Sequence, residues 1–219
     1  SRRERSKKAG LSIPPKLTPK LIWDGLSHPV WTWQTLKRGL PRLRTVEDYS
    51  GTKDLKFTSG FVGNRLGGTL DWKYCKKVKE MWDGPVVLKG ILHPEDAKKA
   101  VEIGLDGIYV SNHGGRQFDG AITAIEALPD IVAVVKNKAS IILDSGIRTG
   151  LDAMKALYLG ADFVMVGRPF VYGVSALGQY GGDHIAKILT DDLNNNMVQV
   201  GVSNLDELKS ADIDITLQV

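Results

Sequence analysis

One cysteine in 219 residues leaves Cys75 without a partner in the chain. That excludes a disulfide framework and suits a reducing compartment or one indifferent to thiols. No apolar run approaches the roughly 18 residues of a membrane-spanning helix, and no signal peptide opens the chain. The opening is so abrupt that the true N-terminus is expected to lie elsewhere. Histidine is scarce, at four residues, and charge of one sign is locally scarce too. Residues 1–44 carry eleven Lys/Arg against Glu4 and Asp24, a net +9, which leaves 45–219 at −5 within the +4 of the whole chain. So lopsided a segment points to an anionic partner or surface. The remaining composition, 42% hydrophobic, is enough for one domain with a real core.

From Gly84 onward short β-branched runs recur without polar alternation: PVVLKG (85–90), GIYVS (107–111), SIILDSG (140–146) and FVMVG (163–167). Strands buried on both faces read this way. Helical signals separate them. Pro94 at a first-turn position precedes Glu95 and Asp96, and Ala97, Ala100 and Val101 form a face that ends at Gly104. Thr149 and Asp152 make a capping box ahead of Met154, Leu157 and Tyr158, with Gly160 just past the helix end. A last helix carries Ile185, Ile188, Leu189 and Met197, and another spans Asp71 to Trp82. Alternation of this kind implies βαβ units and a parallel sheet. A closed (β/α)₈ barrel needs eight strands and about 250 residues, and the first eighty residues do not supply the other four. The chain is therefore either an open α/β domain or the C-terminal half of a barrel. The expected division is 1–83, a long basic loop region with one helix, and 84–219, the half-barrel.

Each strand ends in a polar group: Lys89, then Ser111-Asn112-His113, then Asp144-Ser145, then Gly167-Arg168. Such groups converge on one face of a barrel. The turns DSGIRTG and GRP follow the last two strands, where barrels tend to bind phosphate through backbone N–H groups and an arginine. The plainer reading is glycine punctuation, with Arg148 and Arg168 as surface charges. Imidazole is the side chain most often used as a general base, which singles out His113, and Arg116 offers a planar fork for a carboxylate. A lone histidine is more often a satisfied core residue, but this one stands between a strand and two glycines. Lys89 closes an apolar strand, where an ammonium is costly unless paired; the plainer reading there is a snorkelling lysine. No metal is called for.

VVLKGI, GLDGIYVSNHGGRQFDG, ILDSGIRTGLDAMKALYLGADFVMVGRP and the opening RRER resemble the FMN-dependent α-hydroxy-acid dehydrogenase/oxidase family over essentially the whole chain. Within it, HPVWTWQTLKRGLPRL is most similar to the membrane-associated L-lactate and mandelate dehydrogenases. The resemblance implies a (β/α)₈ barrel, FMN as cofactor, and oxidation of an L-2-hydroxy acid, lactate first. His113 then matches the base, Arg116 the arginine that binds the carboxylate, and Arg3 a second arginine beside it. Lys89 matches the lysine at the flavin N1/O2 edge, and Ser111 touches the isoalloxazine ring. Asp144, Ser145, Gly146, Arg148, Gly167 and Arg168 fall on the stretches that hold the ribityl chain and phosphate. Hydride and carbanion routes need the same histidine. A mandelate dehydrogenase, a glycolate or lactate oxidase, a different FMN barrel (an isomerase or an IMP-dehydrogenase-like enzyme), and an inert half-barrel binding subunit are the rivals.

The family's substrate tyrosines, and the aspartate that orients its histidine, lie on a first barrel half with which nothing here aligns. Asp119, six residues from His113, has no geometric claim to replace that aspartate. The chain is therefore expected to be a C-terminal fragment that partners the missing N-terminal half, in a homo-oligomer. Three of the five tryptophans, Trp23, Trp31 and Trp33, sit in the basic segment. That mixture suits an interfacial helix on an anionic membrane near a quinone or cytochrome acceptor. The enzyme would then be cytoplasmic, peripheral at the inner face of the cell membrane. The alternative is an active-site lid. The segment has no nucleic-acid-binding motif.

Overall fold

The computed structural model describes residue 8 and residues 18–39, 42–54, 57–58, 60–62 and 70–213. The chain divides into two compact units, Ser1–Asp71 and Trp72–Val219. Within the first, the basic segment carries three short helices: α1 (Pro19–Ser27), α2 (Pro29–Arg38) and α3 (Arg44–Ser50). The Thr18 hydroxyl caps α1 by accepting from the Leu21 N–H at 3.2 Å, and α1 and α2 each begin with proline. A proline at the first turn loses no intrahelical hydrogen bond.

The second unit runs α4 (Trp72–Met81), β1 (Val87–Ile91), α5 (Pro94–Glu102), β2 (Gly107–Val110), α6 (Ala124–Val135), β3 (Ser140–Leu143), α7 (Gly150–Tyr158), β4 (Phe163–Val164), α8 (Arg168–Leu177), α9 (Gly181–Gln199) and α10 (Leu205–Ser210). All neighbouring strands are parallel and lie in the strict order β1-β2-β3-β4. A doubly wound sheet reverses its order at a switch point and carries helices on both faces. Here the order never reverses, as in a barrel wall.

The core confirms a single helical face. Ile91, Ile108, Val110, Ile141 and Leu143 pack with Ala97, Ala100, Ala127, Leu128 and Ile131 from α5 and α6. The alternate strand positions face the other way, where Val87 and Phe163 stay exposed. Sequence signals account for the helix starts. The Thr149 hydroxyl and Asp152 carboxylate cap α7 reciprocally, and Gly160 past its end has φ +103°. Thr123 and Glu126 do the same for α6, a box present in the sequence but not singled out there. His93 caps α5, its Nδ1 accepting from the Glu95 N–H at 3.2 Å.

β3 covers its apolar run and stops, whereas β4 is shorter than the run Phe163–Val166. β3 ends at Leu143 because Ser145 and Gly146 turn to φ +74° and +108°. β4 pairs only through Phe163 and Val164, and among the described residues β3 is its one strand neighbour. Close helix packing depends on one glycine in particular. A Cβ on Gly150 would lie 2.1 Å from the Leu193 backbone nitrogen, and the Gly150 N–H donates to Asp192 Oδ2 at 2.6 Å. Gly150→Ala is expected to cost about 3 kcal/mol in urea unfolding, as overpacked backbone contacts do. Gly182→Ala, with open space around its Cβ, should be neutral or slightly stabilising.

Candidate active site

The tips of β1, β2 and β3 meet through hydrogen bonds and an ion pair, and the residue past β4 lies beside them. β1 supplies Lys89 by means of a bulge. The register runs Lys89 to Tyr109, then skips to Ile91 opposite Val110, with Gly90 at φ +95° between them. That extra residue resets the alternation of faces. Ile91 turns into the helical core at 7% exposure, while Lys89 stays on the face away from the helices. Its Nζ pairs with Asp144, donates to Ser111 Oγ at 3.1 Å, and sits 3.7 Å from the centroid of the Tyr109 ring.

Ser111, at the end of β2, is 2% exposed and also accepts the His113 N–H at 3.0 Å. His113, Gly114 and Gly115 then take φ values of +57°, +64° and +68° in succession. Left-handed backbone costs a non-glycine residue about 1 kcal/mol. Two flanking devices hold it. The Gly114 N–H donates to Ser145 Oγ at 2.9 Å, and the Gly115 N–H donates to Asn112 Oδ1 at 3.2 Å. Ser145 donates in turn to Asp144 Oδ1 at 2.7 Å. The last tip adjoins the same turn, because a Cβ on Gly114 would stand 3.8 Å from Arg168 Nη2.

Lys89, Ser111, Asp144, Ser145, the His113 turn and Arg168 are thus brought together. The His113 imidazole is exposed and makes no hydrogen bond among the described residues. Asp119 lies against Gly115, its Oδ1 3.5 Å from where a Cβ would stand there. Arg116 follows the turn directly and is exposed, as are Gly146, Arg148, Gly167 and Arg168. The Arg148 backbone N–H donates to Asp152 at 2.9 Å. Among the described residues, none of these three guanidinium groups pairs with a carboxylate. Arg3 falls outside the described residues.

Burial pushes the Asp144 carboxyl up, but hydrogen bonds from Lys89, Ser111 and Ser145 more than offset it, so Asp144 stays below the usual carboxylate range. Burial, then the charge and hydrogen bonding of Asp144, push the Tyr109 phenol up to about 12. Tyr109 escaped the sequence reading. Its signal was the alternation in GIYVS, which sets it on the face opposite Ile108 and Val110.

A strand-end cation, an exposed imidazole, three exposed guanidinium groups and open backbone at Gly146 and Gly167 form a donor set for anionic ligands. The family model for FMN-dependent dehydrogenases matches residues 1–215. The chain belongs to that family. It is 41% identical to an L-lactate dehydrogenase of Pseudomonas aeruginosa over 210 residues, 95% of this chain and 55% of that protein. An L-lactate dehydrogenase of Vibrio cholerae is 38% identical over 208 residues, 94% of this chain and 55% of that protein. Among solved structures, the monotopic membrane protein (S)-mandelate dehydrogenase superposes with a TM-score of 0.89 at 33% identity, covering 94% of this chain and 54% of that one. A mandelate oxidase superposes with a TM-score of 0.65 at 40% identity, covering 69% of this chain and 45% of that one. The chain spans about half the length of the curated relatives it matches, and its four strands form a partial (β/α)₈ barrel.

The residues fit the family's cofactor. α8 starts at Arg168 with no side-chain oxygen capping it, and Pro169 in its first turn has no N–H to satisfy. A Cβ at Gly146 or Gly167 would meet nothing within 4 Å, so backbone there is open to close approach by phosphate. Asp144→Asn provides a test of the network. Because the folded carboxyl titrates below its unfolded value near 3.8, its stabilisation is present above that pH and lost as pH falls through the lower folded value. Wild type should exceed the variant by about 1 kcal/mol in urea unfolding at pH 7, a figure reduced for the half-exposed lysine. The gap should close below about pH 3.8.

Proposed function

We propose that this chain carries the proton-transfer and flavin-binding groups of an FMN-dependent dehydrogenase acting on an L-2-hydroxy acid, with L-lactate the first candidate. The observation that carries the reading is the meeting of Lys89, the His113 turn and Arg168 at one end of the sheet. Lactate is favoured by the names of the curated relatives, and mandelate is the second reading because of the structural neighbours.

In this reading Arg116 holds the substrate carboxylate by charge-assisted hydrogen bonds, and Arg3, outside the described residues, is by family resemblance the second arginine for the same carboxylate. His113 takes a proton from the hydroxy acid at its unpaired imidazole. Lys89 would stand at the flavin N1/O2 edge, where a fixed cation would stabilise negative charge as it develops. Ser111 would meet the ring, Asp144 and Ser145 the ribityl chain, and Gly146, Arg148, Gly167 and Arg168 would hold the phosphate. The flavin, when bound, accepts the two electrons that leave the substrate α-carbon. The sheet face opposite the helices, with Val87 and Phe163 exposed, needs covering, and we assign that role to the complementary half of a barrel.

The same proposal places the basic segment on an anionic membrane. Ile22, Trp23 and Leu26 on α1 and Val30, Trp31, Trp33 and Leu36 on α2 are each more than half exposed. Aromatic and aliphatic side chains next to Lys37 and Arg38 suit the headgroup boundary. Among the described residues no helix is long and apolar enough to cross a membrane.

Anaerobic L-lactate added to the flavin-loaded, assembled protein should bleach the oxidised flavin band, faster than mandelate does. His113→Gln should slow bleaching about 10²- to 10⁴-fold while FMN still binds. No bleaching with either acid would end the dehydrogenase reading. Sedimentation with vesicles of anionic phospholipid should carry the protein down, and deleting 17–45 should abolish this. Unchanged sedimentation of the deletion would favour a lid.

A further inference from the structure

A lysine ammonium is compact, strongly hydrated and carried on a flexible stem. At Lys89 three groups limit that freedom. Ser111 Oγ and Asp144 take two of its N–H bonds, and the Tyr109 ring lies under the cation at 3.7 Å. Aromatic faces attract cations through their quadrupole, more strongly where water is excluded. The ring is fixed by a strand and not by a loop. Tyr109 is the direct register partner of Lys89, and its neighbours Ile108 and Val110 are both 0% exposed, anchoring β2 in the core. Ser111 and Asp144 both sit at strand ends, so the Tyr109 ring is the contact that approaches from within the sheet.

We infer that Tyr109 is a positioning residue for Lys89: its ring face fixes the ammonium at the strand tip, with one N–H left to point out of the sheet. The ring removes water from one side of the cation, and Asp144 and Ser111 hold two of its bonds, so the remaining donor has one direction. The inference concerns the Tyr109–Lys89 contact itself. Its consequence for a bound flavin rests on the function proposed above, because only there does the outward N–H meet the N1/O2 edge.

Two readouts separate the contact from its consequence. In the flavin-free full chain, labelling of Lys89 by trinitrobenzenesulfonate is quantified by mass spectrometry against Lys187. Tyr109→Leu should raise it about two- to fivefold, the range a cation–π contact at a half-exposed site converts to, and Tyr109→Phe, which keeps the ring but loses the phenol's bond to Asp144, should stay nearer the wild-type level than leucine does. Tyr109→Met, a flexible side chain of similar reach, reads the same quantity if the leucine variant fails to fold. In the flavin-loaded protein, Tyr109→Leu should lower the two-electron midpoint potential by about 10–20 mV, the same two- to fivefold change in the relative affinity for reduced flavin. Equal labelling in wild type, phenylalanine and ring-less variants would overturn the inference. So would phenylalanine behaving like leucine. Increased labelling with an unmoved potential would uphold the contact and count against the placement of Lys89 beside the flavin.

Discussion

The half-exposed ammonium of Lys89 and the carboxylate of Asp144 join the ends of two strands that are not neighbours in the sheet. Ser111 from the intervening strand completes the link, and Ser145 carries it to the His113 turn. Surface ion pairs are weak, but this one is part of a network that satisfies each of its buried members. Without it, three strand ends and a strained turn would have only backbone pairing to set their relative positions. The left-handed run at His113, Gly114 and Gly115 shows how much depends on it. A conformation that costs free energy persists only where its surroundings enforce it.

Much of this was legible in the sequence. Four apolar runs gave four strands, and the polar residue closing each run gave the tip. Pro94, the Thr149–Asp152 box and Gly160 marked helix boundaries because each satisfies or ends a backbone hydrogen-bond pattern locally. The features that escaped depend on partners far along the chain. The bulge at Gly90 cannot be told from a plain glycine until the register with β2 is known. Tyr109 reads as one more apolar strand residue until Lys89 is seen opposite it. β4 is shorter than its apolar run, because among the described residues it has β3 alone to extend its ladder, while β3 stops where the apolar run gives way to Asp144 and the backbone turns at Ser145. The basic segment, expected to be a loop region with an interfacial helix, carries three short helices, two of which begin with proline.

Stability and chemistry are separated by sheet face. Alanine-rich helices approach the strands closely on one side, and fixed glycines such as Gly150 bring helices together behind them. The other side and the strand ends hold the cation, the carboxylate, the phenol and the imidazole. Substitutions in the helical layer should therefore change folding without altering the candidate site's donors, while changes at the tips act locally. This is the division expected of barrels, whose chemistry sits on the loops at one end of the strands.

The strict sequence of strands also bears on how the molecule is made. Each new strand pairs with the one synthesised just before it, so every pairing closes a short loop of chain. Short loops carry a small entropic penalty, and topologies rich in them fold fast. Among the described strands each pairing joins consecutive segments, so this part of the framework could grow one strand at a time in the order of translation.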